Sequence, residues 1–234
     1  MTGQSTKHSA PRTGRLQSVI TPAVTKRPAT KELLITTAEV LFGRLGFDAV
    51  SLREIAQAAG QGNTHVVQYH FKNKPGLILA ILDYRLEAME ALRGEWFQNL
   101  VSRKPPDVRA LMKAFFLPTL SVSSHDGEHT FCRFLLQYHL QPIVDHPVYT
   151  AYKPSRVLTE RIPNTMKLVR LLRERCHRLP QATFERRLRE LGGMLLSTVV
   201  EHDNLRVFGK SKHRAELDLE PTFDIVVAAF AAPA

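Results

Sequence analysis

Apolar positions recur at three- and four-residue spacing along nearly the whole chain, the period of helices that bury one face. Leu33, Leu34, Thr37, Ala38, Leu41, Phe42 and Leu45 predict a first helix, with Thr30 as its N-cap and Gly46 as its stop. Phe47-Asp48-Ala49-Val50 then leads to Ser51, and is expected to plug a small core. Ser51 and Glu54 have the spacing of a capping box, and Leu52, Ile55, Ala56 and Ala59 give the helix it opens a narrow apolar face. Gly60 and Gly62 break that helix, and a third short one follows with Val66, Val67 and Phe71 inward. Pro75 suits the first turn of a long helix running to about Val101, where Pro105-Pro106 stops the pattern. Further helices are predicted over 107–120, 128–141, 155–179 (kinked at Pro163), 181–206 and 220–232. Loops are expected at 121–127 and 209–217, and an irregular stretch around Pro142, Pro147 and Pro154. Neither a strand pattern nor an internal repeat emerges. The expectation is an all-α protein: an N-terminal three-helix helix–turn–helix domain, then a larger helical domain of about six helices.

Charge sharpens this division. The 234-residue chain carries a formal net charge of +10, and residues 1–74 hold ten Lys/Arg against four Asp/Glu. The surplus gathers where the three short helices lie, as a nucleic-acid partner requires, although a solvated basic tail gives the same excess. Residues 1–28 mix Thr, Ser, Pro, Gly and basic residues and read as a disordered tail, 29–74 as the head and 75–234 as the helical body. No stretch has the apolar length of a signal peptide or a membrane span, so a cytoplasmic protein is expected. Cys132 and Cys176 have neither metal nor disulfide-framework spacing and read as buried free thiols. The His125-Asp126-Gly127-Glu128-His129 run reads as a solvated turn rather than a metal site. Phosphate-loop, nucleophile-elbow and dinucleotide motifs are missing, so neither an enzyme nor a cofactor is expected.

The chemistry-bearing positions lie between the apolar ones of the second and third helices. Asn63, Thr64, His65, Gln68, Tyr69 and His70 offer hydrogen-bonding groups on the flank opposite Val66, Val67 and Phe71. A helix–turn–helix needs that arrangement, with one side to dock and the other for base edges and phosphates.

With those residues in place, positions 30–76 resemble the TetR family of bacterial transcription regulators. The resemblance rests on Ala38, Phe42 and Gly46-Phe47, on Ser51-x-Arg53-Glu54-Ile55-Ala56 with Ala59-Gly60, and on His70-Phe71-x-x-Lys74. There is one departure: Gln68 occupies the usual tyrosine place, with Tyr69 beside His70, and Gly60 to Phe71 is one residue longer than usual. The resemblance implies that the third helix enters the major groove while the second and fourth touch the backbone. Carried over, Lys74 at the entry to the fourth helix contacts a phosphate, or else is an exposed turn lysine. Arg53 reaches a guanine or a phosphate, or else pairs with Glu54. Asn63, Thr64, His65 and Gln68 are base-edge candidates, with Asn63 alternatively a helix cap. Tyr69 and His70 are phosphate candidates, one of which could instead pack in the head. Lys31 and Ser51 complete the expected DNA-binding set, and Lys26 and Arg27 could enter the minor groove.

The resemblance further implies a homodimer through the last two long helices, with Leu188, Leu191, Gly192, Leu195 and Val199 on the shared face. The alternative is that the same residues form an internal core. It also implies a repressor that binds a palindromic double-stranded DNA operator and is released by a small apolar effector in the body. The expected ligand residues are Trp96, Phe97, Phe116, Phe131, Phe134, Tyr138, His139, Met166 and His202, each of which read singly could be ordinary core. The competing reading is an all-α small-molecule-binding module or enzyme with an incidental basic head. Salt dependence of DNA binding separates the two.

Overall fold

The computed structural model describes residues 29–102, 105–122, 128–140, 160–208 and 216–233. The expected basic tail, the 123–127 loop with its His125-Asp126 pair, the proline-punctuated stretch, the Ser155 helix start and most of the 209–217 loop lie outside them. Among the described residues there are nine helices and no strand. They are α1 (Thr30–Leu45), α2 (Leu52–Ala58), α3 (Val66–Phe71), α4 (Lys74–Val101), α5 (Val108–Ser121), α6 (Thr130–His139), α7 (Pro163–Arg175), α8 (Gln181–Phe208) and α9 (Glu220–Ala231).

The head follows from local chemistry. Ala29, not Thr30, is the N-cap of α1, and it supplies no side-chain cap. The helix therefore starts one residue before the expected place and holds by its buried face of Leu34, Ile35, Ala38 and Phe42. Gly46 closes it at φ +83°, donating its N–H to the Phe42 carbonyl at 2.9 Å. The capping box of α2 is formed in both directions: Glu54 N–H donates to Ser51 Oγ at 3.2 Å and Ser51 N–H to Glu54 Oε2 at 2.7 Å. Asn73 caps α4 by accepting from Gly76 N–H at 2.8 Å, with Pro75 in the first turn as expected. α4 then runs 28 residues without interruption, about 42 Å at the α-helical rise, from the head into the body.

Phe47 does more than plug the head. Its ring meets Phe42 edge-on at 5.2 Å, and also Phe134 at 5.6 Å and Tyr138 at 6.2 Å on α6. α1 packs more extensively on α6 than on any helix of its own head. Gly43 makes that crossing tight, since a Cβ there would stand 3.1 Å from the Phe134 backbone nitrogen. A buried ionic cluster ties the same elements. Glu39 on α1, fully buried, accepts from Arg85 Nε on α4 at 2.7 Å and from Thr130 Oγ1 on α6 at 2.7 Å.

In the body, α4, α5 and α7 pack together, α6 lies on α8, and α9 covers α8 and α5. Glu160 and Arg161 are helical, the run breaks at Ile162, and Pro163 opens a separate helix. The proline occupies the first turn of α7, after Ile162 at the N-cap, where its missing N–H costs no intrahelical bond. Fully buried Asp203 on α8 accepts from His129 N–H at 2.7 Å and pairs with its ring Nδ1 at 3.0 Å, anchoring the start of α6. Gly193 of α8 lies where a Cβ would meet His139 Nε2 at 2.6 Å, so α6 of the same chain occupies its free face. Cys132 and Cys176 are free and buried, and burial raises both thiol pKa values. Among the described residues no helix is long and apolar enough to cross a membrane.

Candidate nucleic-acid interface

α2 and α3 each turn one flank inward. Ile55 and Ala56 are buried on α2, and Val67 and Phe71 on α3, against α1 and the start of α4. The opposite flank of α3 holds the groups singled out from the sequence. Asn63, His65, Gln68 and Tyr69 are exposed, and Thr64 and His70 are half-buried. Tyr69 is 84% exposed, far more than a buried aromatic role allows.

Several of these side chains are held in place. Asn63 Oδ1 accepts from His65 N–H at 2.9 Å, an Asx turn that shapes the entry to α3 without Asn63 being its N-cap, which is His65. His65 Nδ1 and Gln68 Oε1 lie 3.2 Å apart. Tyr69 leans edge-on over the His70 ring at 5.1 Å, and His70 in turn touches Phe71 at 5.9 Å. His70 is thus both part of the polar flank and part of the packing.

The cations divide into two kinds. Arg53 is exposed and forms no ion pair with any described residue. Its potential partner Glu54 is engaged by Ser51, whose hydrogen bonds lower the Glu54 pKa. Lys31 is exposed at the start of α1. Lys74 is anchored: its Nζ donates to the Phe47 carbonyl at 2.8 Å, so it links the α1–α2 connection to the entry of α4. Lys72 is not among the residues expected from the sequence. It is exposed in the turn between α3 and α4 at φ +67°, beside Lys74 and the positively polarised start of α4. The Lys72-Asn73-Lys74 triplet was the available signal. Ser51 serves the α2 cap with its side chain.

The structure spreads the expected ligand residues over several environments. Of the nine, only Phe116 lines the small cavity between α4, α5, α6 and α8. Phe131, Phe134 and Tyr138 form a stacked series on α6 that packs towards Phe47. Trp96 is 37% exposed, and Phe97 lies under the Lys167 ammonium at 5.6 Å. Met166, His139 and His202 are half-buried, with His202 3.7 Å from Asp203. Leu195 and Val199, expected on a shared dimer face, are fully buried within the chain.

Residues 34–81 match the family model described as bacterial regulatory proteins, tetR family. The fold is also similar to a solved structure described as a candidate TetR-family transcriptional regulator from Rhodococcus sp.. That pair shares 13% sequence identity with a TM-score of 0.42, covering 86% of this chain and 97% of the other. No curated protein matches the chain.

Proposed function

We propose that this chain, whose residues 34–81 match the family model of bacterial regulatory proteins, tetR family, is a dimeric repressor that a small apolar ligand releases from a palindromic operator. The family match of the head supports DNA-binding transcription regulation. The finer reading is supported by one observation above all: α3 buries Val67 and Phe71 while Asn63, His65, Gln68 and Tyr69 stand exposed on a short, well-anchored helix. Such a helix presents donors and acceptors to base edges in the major groove, while Arg53, Lys31 and Lys72 neutralise flanking phosphates.

One head reads roughly 4–6 base pairs, too few to mark a single place in a genome, whereas a two-fold pair reads an inverted repeat. Exposed Leu205 on α8 and Ile225 on α9 give the last two helices apolar surface for a second copy. The test is binding to the inverted repeat nearest the chain's own gene, followed by fluorescence anisotropy at several salt concentrations. A protected symmetric site, a two-to-one protein-to-duplex ratio and a steep loss of affinity with salt are the expected results. Salt-insensitive binding, or binding as a monomer, overturns the reading.

A further inference from the structure

Between α4, α5, α6 and α8 lies a cavity of about 50 Å³. Met89, Phe116, Leu135, Leu188 and Leu196 supply its apolar wall, and Arg93 is the one charged residue on it among the described residues. Arg93 is 5% exposed. Its Nε donates to the Phe115 carbonyl at 3.1 Å, its Nη1 to Thr165 Oγ1 at 2.9 Å, and its guanidinium lies over the Phe115 ring at 4.9 Å. Nη2 makes no hydrogen bond with any described residue.

Glu90, the obvious counter-ion, is committed elsewhere. Its nearest oxygen is 3.7 Å from Arg93 Nη1. The carboxylate accepts from the Asn164 N–H at 2.9 Å, the Thr165 N–H at 3.2 Å and the Thr165 hydroxyl, all at the start of α7. Glu90 is therefore shared between Arg93 and the positive end of a 13-residue helix, and the site as a whole leans positive. Burial draws the Arg93 pKa down to about 10, against the pull of Glu90, which leaves it cationic at neutral pH. Nη2 is not among the fully buried unpaired atoms, so it stays accessible, and a largely buried guanidinium with an accessible unused donor is placed to take an incoming anionic acceptor.

We propose that this cavity binds a small apolar carboxylate, the acid accepting from Arg93 Nη2 and the hydrocarbon lying against Met89, Phe116, Leu135, Leu188 and Leu196. The proposal rests on the ligand-responsive reading above and names the class of effector. Size supports a trigger. A cavity of about 150 Å³ holds benzene, so an occupant larger than a few atoms must spread these helices. Leu135 belongs to α6, which carries Phe134 and Tyr138 against Phe47 of the head. A ligand that favours the spread arrangement thereby favours one head position over another.

Isothermal titration of the full chain with hexanoate, octanoate and 4-phenylbutanoate, each against its matched primary alcohol and amine, tests the class. The acids should bind tenfold or more tighter than the alcohols, as expected for a charge-assisted hydrogen bond to a largely buried guanidinium, and the amines weakest. Replacing Arg93 alone strands Glu90, so the decisive variant is the double Glu90→Gln/Arg93→Met, which removes both charges. It should keep operator binding and lose the preference for acids. Gly192→Leu is the second variant. A Cβ at Gly192 meets no atom within 4 Å, so a side chain there can enter the cavity mouth and should abolish binding of all three acids. Alcohols binding as well as acids, or an acid preference that survives the double variant, overturns the proposal. Acid binding that leaves operator affinity unchanged upholds the site and overturns the ligand-released repressor instead.

Discussion

Two residues of the head with similar sequence credentials carry different burdens. Tyr69 is exposed and its nearest ring partner is His70. Tyr69→Ala should lower operator affinity about tenfold, a typical cost of one recognition contact, and leave the thermal midpoint unchanged. Lys74 is bonded to the Phe47 carbonyl, so Lys74→Ala should lower both affinity and stability, the latter by about 1 kcal/mol. Anisotropy and thermal melts on both variants separate binding from folding, and equal loss of stability in the two would contradict the assignment. His139 gives a pH signature. Burial and the Arg189 charge hold its imidazole pKa below the ordinary value, so in that window the unfolded chain binds the extra proton. Stability should therefore fall as pH drops from about 7 towards 5. His139→Asn should flatten that slope in denaturant melts at each pH.

Among the elements, the crossing of α1 and α6 is the least forgiving. At Gly43 the added atoms of Gly43→Val would press on the Phe134 backbone and the Arg133 side chain, neither of which can rotate away without moving α6. Overpacking of this kind costs about 1–3 kcal/mol, and the loss should appear in denaturant melts. That crossing was not legible in the sequence. Periodicity located every described helix, and the Ser51–Glu54 box and Pro75 were read correctly, because caps and apolar spacing are local. The break at Ile162 is not legible either, because a proline inside a basic run looks the same whether it kinks a helix or begins one. The aromatics of α6 were read as candidate cavity lining for a similar reason. Spacing reveals that Phe131, Phe134 and Tyr138 share a face, but only the tertiary structure reveals that α1 covers it. In the head, the polar flank of α3 was readable, whereas the pinning of Lys74 and the exposure of Lys72 depend on chain geometry at the α3–α4 turn.

For the whole molecule, the surface left over by the internal core sets how copies could assemble. Leu195 and Val199 are spent inside the chain, which leaves Leu205 and Ile225 exposed on the last two helices. The pair Leu205→Glu/Ile225→Glu should yield monomers by light scattering and reduce operator affinity at least a hundredfold, since each half-site would then be bound alone. A dimer that persists in this variant would move the shared face elsewhere.

A small head set on a larger helical body invites chimeras in which the head is exchanged between proteins. Here the seam is poorly placed for such surgery. Phe47 belongs to the head by sequence, yet two of its three ring contacts belong to α6, and Glu39 is held by Arg85 and Thr130, which lie beyond any cut at residue 74. A transplant that ends at the α3–α4 turn would strand a carboxylate and leave an aromatic socket unfilled. A workable graft has to bring the facing surface of α6 along with it.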